Sequence, residues 1–278
     1  MNWYGESGAY SLDAEAAAAR VRQNTNPAPK KLCDWKELEA AGVVKSRGEY
    51  LAAVREVSVL MANEGIAKAL SEKDTEMLQM VRMLDELDDV INLLTERLTE
   101  WHQSTTPGSS RKYTRAASKK FIQTVAKSKN PSMKSVAREI LSLTSLRTNL
   151  MKDVSRTADA VIPNMSALVG GLVAARLVSR AGSLSLMAKM PGSSIQVLGA
   201  ESALFSHIRA GTPSPKHGLI FQHRRVHNAP REVRGKLARV LSAKLAIACR
   251  LDAYRGELDE AFVADANAKI DKIMEAGE

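Results

Sequence analysis

The sequence is short of cysteine, of aromatic residues and of long apolar runs, and each shortage narrows what the protein can be. Cys33 and Cys249 are its only two cysteines in 278 residues and stand far apart, which excludes a disulfide scaffold and fits a reducing, cytoplasmic setting. Aromatic residues make up only 4%, and Ala, Leu, Met, Lys and Glu dominate, so strands are disfavoured and an all-α fold is expected. The apolar run around 167–175 stops at Arg176, well below the roughly 18 residues of a membrane-spanning helix, so no integral membrane protein is expected. Carboxylates are scarce where cations are dense. Between Trp101 and Arg250 only Glu139, Asp153, Asp159, Glu201 and Glu232 occur, which leaves no evident acid–base pair for an enzyme. The glycines form neither a G-x-G-x-x-G nor a G-x-x-x-x-G-K-[ST] arrangement, so no cofactor is expected. They read as tight turns and close helix packing. His223 and His227 have a metal-ligand spacing, but Pro230 and flanking arginines argue for a loop, and no cysteine pair accompanies them.

What the chain has in quantity is unevenly placed charge. The net charge is +9, yet residues 1–100 carry 12 Lys+Arg against 18 Asp+Glu, residues 101–250 carry 25 against 5, and residues 251–278 return to 3 against 8. The imbalance calls for an anionic partner, either nucleic acid or an acidic membrane surface, met by a single face of the back half.

Residues 1–30 read as a weakly structured leader around one short Ala-rich helix, with Gly5, Gly8 and the run Asn24–Pro29 as breakers. Helical patterning begins at Ser46. From Ile66 the stripe Ile66, Leu70, Lys73, Met77, Met80, Leu84, Leu87, Ile91, Leu94, Leu98, Trp101 alternates steps of four and three, the period of a left-handed coiled coil. Pro107, Gly108 and Pro131 bound a basic connector near 102–132, and a second stripe runs through Val136, Ile140, Leu143, Leu146, Leu150, Val154, Ala158 and Val161. An antiparallel hairpin is the simplest reading, with two surface helices of one globular domain as the alternative. The expected organisation is an abbreviated N-terminal domain (1–60), a coiled-coil self-association domain (61–162), a compact helical domain (163–256) and an acidic C-terminal helix (257–278) with Phe262, Ala266, Ile270 and Ile273 on one side. Met80, Leu84, Leu87, Ile91, Leu94 and Leu98 are the candidate self-association residues.

The segment 212–250 carries the candidate RNA contacts. A Pro-bounded loop brings Lys216 and His217, Gln222 and Arg224 follow, and a helix starting near Pro230 presents Arg231, Arg234, Lys236 and Arg239. On that helix Lys236, Arg239 and Arg250 share one sector, opposite Val233, Leu237, Val240, Leu245 and Leu251. Long cationic side chains on a rigid helix suit phosphate oxygens, while His217 and Gln222 suit unpaired bases. The loop itself is expected to order only on binding. Lys244 falls among the apolar positions, either snorkelling from the core or projecting beside the ridge.

Four strings in this half, Ile162–Gly170, Ser194–Phe205, Pro215–Gly218 and Arg234–Lys236 through Ala246–Asp252, together resemble the Nop domain, and the upstream runs Leu84–Asp88 and Asn92–Trp101 resemble the coiled coil of archaeal Nop-type core proteins of box C/D ribonucleoprotein particles. The resemblance reaches from about Trp35 to Glu257. It implies a non-enzymatic scaffold in an archaeal cytoplasm, whose partners are box C/D guide RNA, a ribosomal-type kink-turn-binding protein, fibrillarin and a second copy of itself. Fibrillarin would then methylate ribose 2′-hydroxyls of rRNA or tRNA. It also implies that Gly199, Ala200, Glu201, Ser202, Ala203, Leu204 and Phe205 touch RNA and the kink-turn protein, although Ser202 stands where the motif usually has lysine. The residues alone leave a second reading, a coiled-coil DNA- or duplex-binding nucleoid protein without a protein co-ligand.

Overall fold

The computed structural model describes residues 13–23, 35–70, 72–105 and 115–275. The breaker run 24–29, Gly5, Gly8, Cys33, Pro107 and Gly108 lie outside them. All regular structure among the described residues is helical, as the composition requires. The chain divides into two compact units between Glu72 and Lys73.

In the first unit α1 (Ala14–Gln23), α2 (Trp35–Ala40) and α3 (Arg47–Leu70) enclose a small core of Ala17, Ala18, Leu38, Val44, Tyr50 and Val57. The Ala-rich helix of the expected leader is therefore packed, and an Arg22–Glu64 ion pair of 2.6 Å joins α1 to α3. Ser46 starts α3 by accepting the Glu49 N–H while Glu49 reaches back to the Lys45 N–H, a variant of the reciprocal cap.

The second unit begins with α4 (Thr75–Thr105), α5 (Arg115–Val125) and α6 (Pro131–Val161). Asn130 caps α6 by accepting the Ser132 and Met133 N–H groups, with Pro131 in the first turn. Helices α4 and α6 are antiparallel: Thr157 touches Met80, and ten residues earlier on α6 Arg147 binds Asp88, eight residues later on α4. Three expectations need correction. The heptad stripe does not run unbroken, because Ile66 and Leu70 end α3 and residues 72–74 form a turn. The connector holds α5, whose Phe121, Ile122 and Val125 form a distal core with Leu98, Met133, Ala137 and Ile140. On α6 Leu146 faces solvent, while Met133, Ala137, Ile140, Val154 and Ala158 are buried.

Six short helices follow: α7 (Pro163–Val169), α8 (Gly171–Ala181), α9 (Leu184–Ala188), α10 (Gly192–Val197), α11 (Glu201–Ala210) and α12 (Arg224–Asn228). They surround α13 (Arg231–Tyr254), and α14 (Glu260–Glu275) closes the core with Ala266 and Ile270. Gly171 lets α8 lie on α6, since a Cβ there would stand 2.6 Å from the Ser155 carbonyl oxygen. The Asp252 carboxylate accepts the Asn164 and Met165 N–H groups at the start of α7 (2.9 Å each) and the Asn164 side-chain N–H (2.7 Å). Asn164 in turn donates to the Glu257 carbonyl and accepts the Asp259 N–H. One buried Asn–Asp pair thus fastens α7, α13 and the approach to α14. Burial raises the Asp252 pKa against the lowering effect of these hydrogen bonds.

Candidate nucleic-acid interface

The cations of the basic half do not share one face. Lys127, Lys129 and Arg138 sit at the distal end of the hairpin, whereas the candidate contacts lie on α12, α13 and the loop before them. α6, which spans that separation, is about 45 Å long at about 1.5 Å per residue. On the second face Arg224, Arg231, Lys236 and Arg239 are exposed and make no ion pair within the described residues. They are the cations left open to a ligand, and Lys236 and Arg239, about 60° apart around α13, form its ridge.

Three of the candidate RNA residues are engaged internally. Lys244 is tied to Asp265 of α14 at 2.8 Å and lies 5.5 Å from the Phe262 ring centroid, so it is a half-buried stem with a paired head. Arg234 donates to the His227 and Ala229 carbonyls and covers the Phe221 ring at 5.1 Å, which closes the end of α12 and turns its guanidinium from the ridge. Gln222 accepts from Arg176 at 3.0 Å. Arg176 also pairs with Asp85 of α4 at 3.1 Å, so Gln222 belongs to the polar network joining the hairpin to α8. Arg225, which is not among the candidate RNA residues, is held by Asn267 and Asp271.

His217 and Lys216 are held by a clamp that composition alone does not show. Gly218 donates to the Gln196 carbonyl, Leu219 to the Leu198 carbonyl, and the Gln196 side chain to the Lys216 carbonyl, at 2.7–2.9 Å. The approach requires glycine: a Cβ at Gly218 would lie 2.0 Å from the Leu198 oxygen. The loop expected to order only on binding is therefore fastened at its end, beside the residues that lead into Gly199. His217 stacks on Phe221 with ring centroids 4.5 Å apart and an 11° interplanar angle. Burial, Arg234 and Lys216 lower its pKa. The segment around His223 and His227, expected to be a loop, is a short helix over Arg224–Asn228 with His223 at its N-cap, and His227 packs against Phe221.

The motif that begins at Gly199 opens α11, which has no buried residue. Phe205 and Ile208 are 62% and 74% exposed, an apolar surface of the kind that marks a binding site. Glu201 is not free for an RNA contact. It accepts the Gly199 N–H at 2.8 Å and a two-pronged ion pair from Arg180 (2.9 and 3.1 Å), and Arg180 draws its pKa down to about 2. Ala200 and Leu204 are partly covered, whereas Ser202 and Ala203 are exposed.

The family model described as "Nop: snoRNA binding domain, fibrillarin" matches residues 35–274. The chain belongs to the Nop family. It is 31% identical over 252 residues to a NOP5 family protein of Methanocaldococcus jannaschii, covering 78% of this chain and 61% of that protein. It is 32% identical over 235 residues to nucleolar protein 58 of Mycosarcoma maydis, covering 72% and 39%. The chain thus spans less than two thirds of the length of these relatives. A crystal structure of a fibrillarin/Nop5p complex matches 98% of both chains at 27% identity, with a TM-score of 0.55.

In this Nop-family chain the hairpin residues named for self-association are largely consumed inside one copy. Leu84 and Leu98 are fully buried and Met80, Ile91 and Leu94 partly buried against α5, α6 and their neighbours; Leu87 is half-buried. The apolar side chains left outside are Met83, Val90, Leu93 and Trp101 on α4 and Leu146 on α6. At about 100° per residue Met83, Val90 and Trp101 fall within roughly 20° of one another. The sequence reading missed Phe221, Gln196 and Ile208. The aromatic at 221 was legible beside His217, but the Gln196 clamp has no local signal.

Proposed function

We propose that the chain is a non-enzymatic scaffold of a box C/D ribonucleoprotein, which grips kink-turn guide RNA together with its kink-turn-binding protein and recruits fibrillarin for guide-directed 2′-O-ribose methylation. The observation that carries this reading is the clamp between residues 196–198 and 216–219. It fastens the His217 loop to the residues that lead into Gly199, from which α11 carries the exposed Phe205 and Ile208. Phosphates would be met by Arg231, Lys236 and Arg239, a base by His217, and a protein by Phe205 and Ile208. A composite RNA–protein partner matches such a surface better than either component alone. Family membership and the likeness to the Nop5p chain of a fibrillarin complex support the fibrillarin contact, which we assign to the first unit. Residues 73–162 serve self-association through the outward Met83, Val90 and Trp101 face, 163–256 bind RNA and protein, and 257–278 brace that domain.

Titration of the full chain against free kink-turn RNA, duplex DNA and a preformed complex of the RNA with its kink-turn protein tests the reading. Marked preference for the preformed complex is expected. Equal or tighter binding to duplex DNA would overturn it in favour of a nucleoid protein, and methyl transfer by the purified chain alone would contradict the non-enzymatic assignment.

A further inference from the structure

Phe221 lies in the short 3₁₀ turn Leu219–Gln222 and is surrounded by groups it cannot have met by local sequence alone. His217 stacks flat on it, His227 leans on it at 5.0 Å with a 58° tilt, and Arg234 covers it at 5.1 Å. Arg234 is itself held by the His227 and Ala229 carbonyls, and the chain on either side of His217 is fastened to Gln196 and Leu198. The Phe221 ring is therefore fixed by the core on one side and by a pinned guanidinium on another. His217 is stacked on it while keeping part of its own surface in solvent.

We propose that Phe221 is a positioning residue for RNA: it holds the His217 imidazole pre-stacked, so that an unpaired nucleobase extends an existing Phe–His stack. The proposal rests on the functional reading above. Its physical basis is preorganisation. An exposed histidine on a loop has two free torsions, and binding a base must immobilise both, whereas a ring already seated on an aromatic face has little left to lose. Offset aromatic stacking supplies the holding energy, and the flat imidazole accepts any base because every base presents a π-face. Phe221 touches no RNA in this scheme and acts only through His217.

The test uses the full chain in six forms: wild type, Phe221→Leu, His217→Ala, the double variant, Phe221→Met as a second aliphatic replacement and Phe221→Tyr as the conservative one. Affinity is measured for the preformed kink-turn RNA–protein complex, and the His217 ring protons are followed by NMR in the free chain. Phe221→Leu and Phe221→Met should weaken binding about three- to tenfold and move the His217 protons out of the Phe221 ring-current shift, whereas Phe221→Tyr should restore both. In the His217→Ala background the loss of Phe221 should add nothing. Wild-type affinity in the Leu and Met variants would overturn the proposal, as would an equal loss with and without His217. So would binding that Phe221→Tyr fails to rescue. If the wild-type chain binds no kink-turn complex, the functional reading fails first and the proposal falls with it, an outcome distinct from a binding wild type with an indifferent Phe221.

Discussion

The strings that carry the Nop resemblance divide into two physically different regions. Ile162–Gly170 and Ala246–Asp252 form the interior: Ile162, Met165, Ala248 and Cys249 are fully buried, and Asn164 and Asp252 satisfy one another and the backbone groups around them. Burial pushes the Cys249 thiol up to about 12, so it packs as a small apolar side chain without thiolate reactivity. Gly199–Phe205 and Pro215–Gly218 form the exterior, with an α11 that buries nothing. Similar sequence strings therefore need not share a role. The first pair specifies how the domain closes, and the second specifies what it presents.

The sharpest way to break this comparison is to exchange the consequences. Asp252→Ala strands three donors, each at roughly 1–3 kcal/mol, so a loss of at least about 3 kcal/mol is expected in a denaturant melt. Phe205→Ala should leave the same melt unchanged and reduce assembly with the RNA–protein complex. A melt insensitive to Asp252→Ala would place the clasp outside the stabilising core.

Within the hairpin the same contrast holds between neighbours. Leu84 is fully buried and Met83 about half exposed, so Leu84→Ala should destabilise by about 2–5 kcal/mol, whereas Met83→Ala should stay within roughly 0.5 kcal/mol. Light scattering on a Met83→Ala, Val90→Ala, Trp101→Ala chain should show loss of self-association with helicity retained. An unchanged mass would remove the outward face from consideration.

The ridge can be sharpened by salt. Charge reversal at Lys236 and Arg239 should weaken RNA binding and flatten the dependence of log affinity on log salt by something under one unit for each phosphate no longer neutralised. Lys244→Ala should leave that slope alone, because its ammonium is spent on Asp265. Equal slopes for Lys236→Glu and wild type would show that the ridge is only a solvated face.

The smallest effect concerns Glu201. Its folded pKa of about 2 lies below the ordinary value of 4.5, so its contribution to stability is present above about pH 4.5 and is lost as pH falls through about 2. Both partners of the Arg180 pair are about half exposed, so solvent screening keeps the effect modest. Arg180→Ala should return the carboxyl toward 4.5 in an NMR titration. A carboxyl that stays near 2 without Arg180 would assign the shift to the Gly199 N–H instead.

Much of the fold was legible because it follows from short-range rules. Composition requires helices, the three–four spacing from Met77 to Leu98 marks the inner face of α4, and Pro131 after Asn130 announces α6. The α14 stripe of Phe262, Ala266, Ile270 and Ile273 lies against the core as its spacing indicates. The break between α3 and α4 was hidden because Lys73 keeps the register of the heptad, and α5 was hidden because Ser, Thr and Lys mask the few apolar residues it buries. In the candidate site Lys236 and Arg239 were readable from helical phase alone.

Which cations remain available for a ligand was decided only by tertiary structure. Arg234, Lys236 and Lys244 carry the same charge on one helix, and helical phase sets Lys244 among the apolar positions without naming the partner that takes up each charge. Asp265 and Phe262 reach Lys244 from α14, while Phe221 and the end of α12 reach Arg234 across a turn. The sequence by itself determined helix, charge asymmetry and the apolar stripes, because those depend on residues three or four apart. The pairing of individual charges depends on groups brought together by packing, and Coulomb attraction and hydrogen bonding respond to distance in space rather than along the chain.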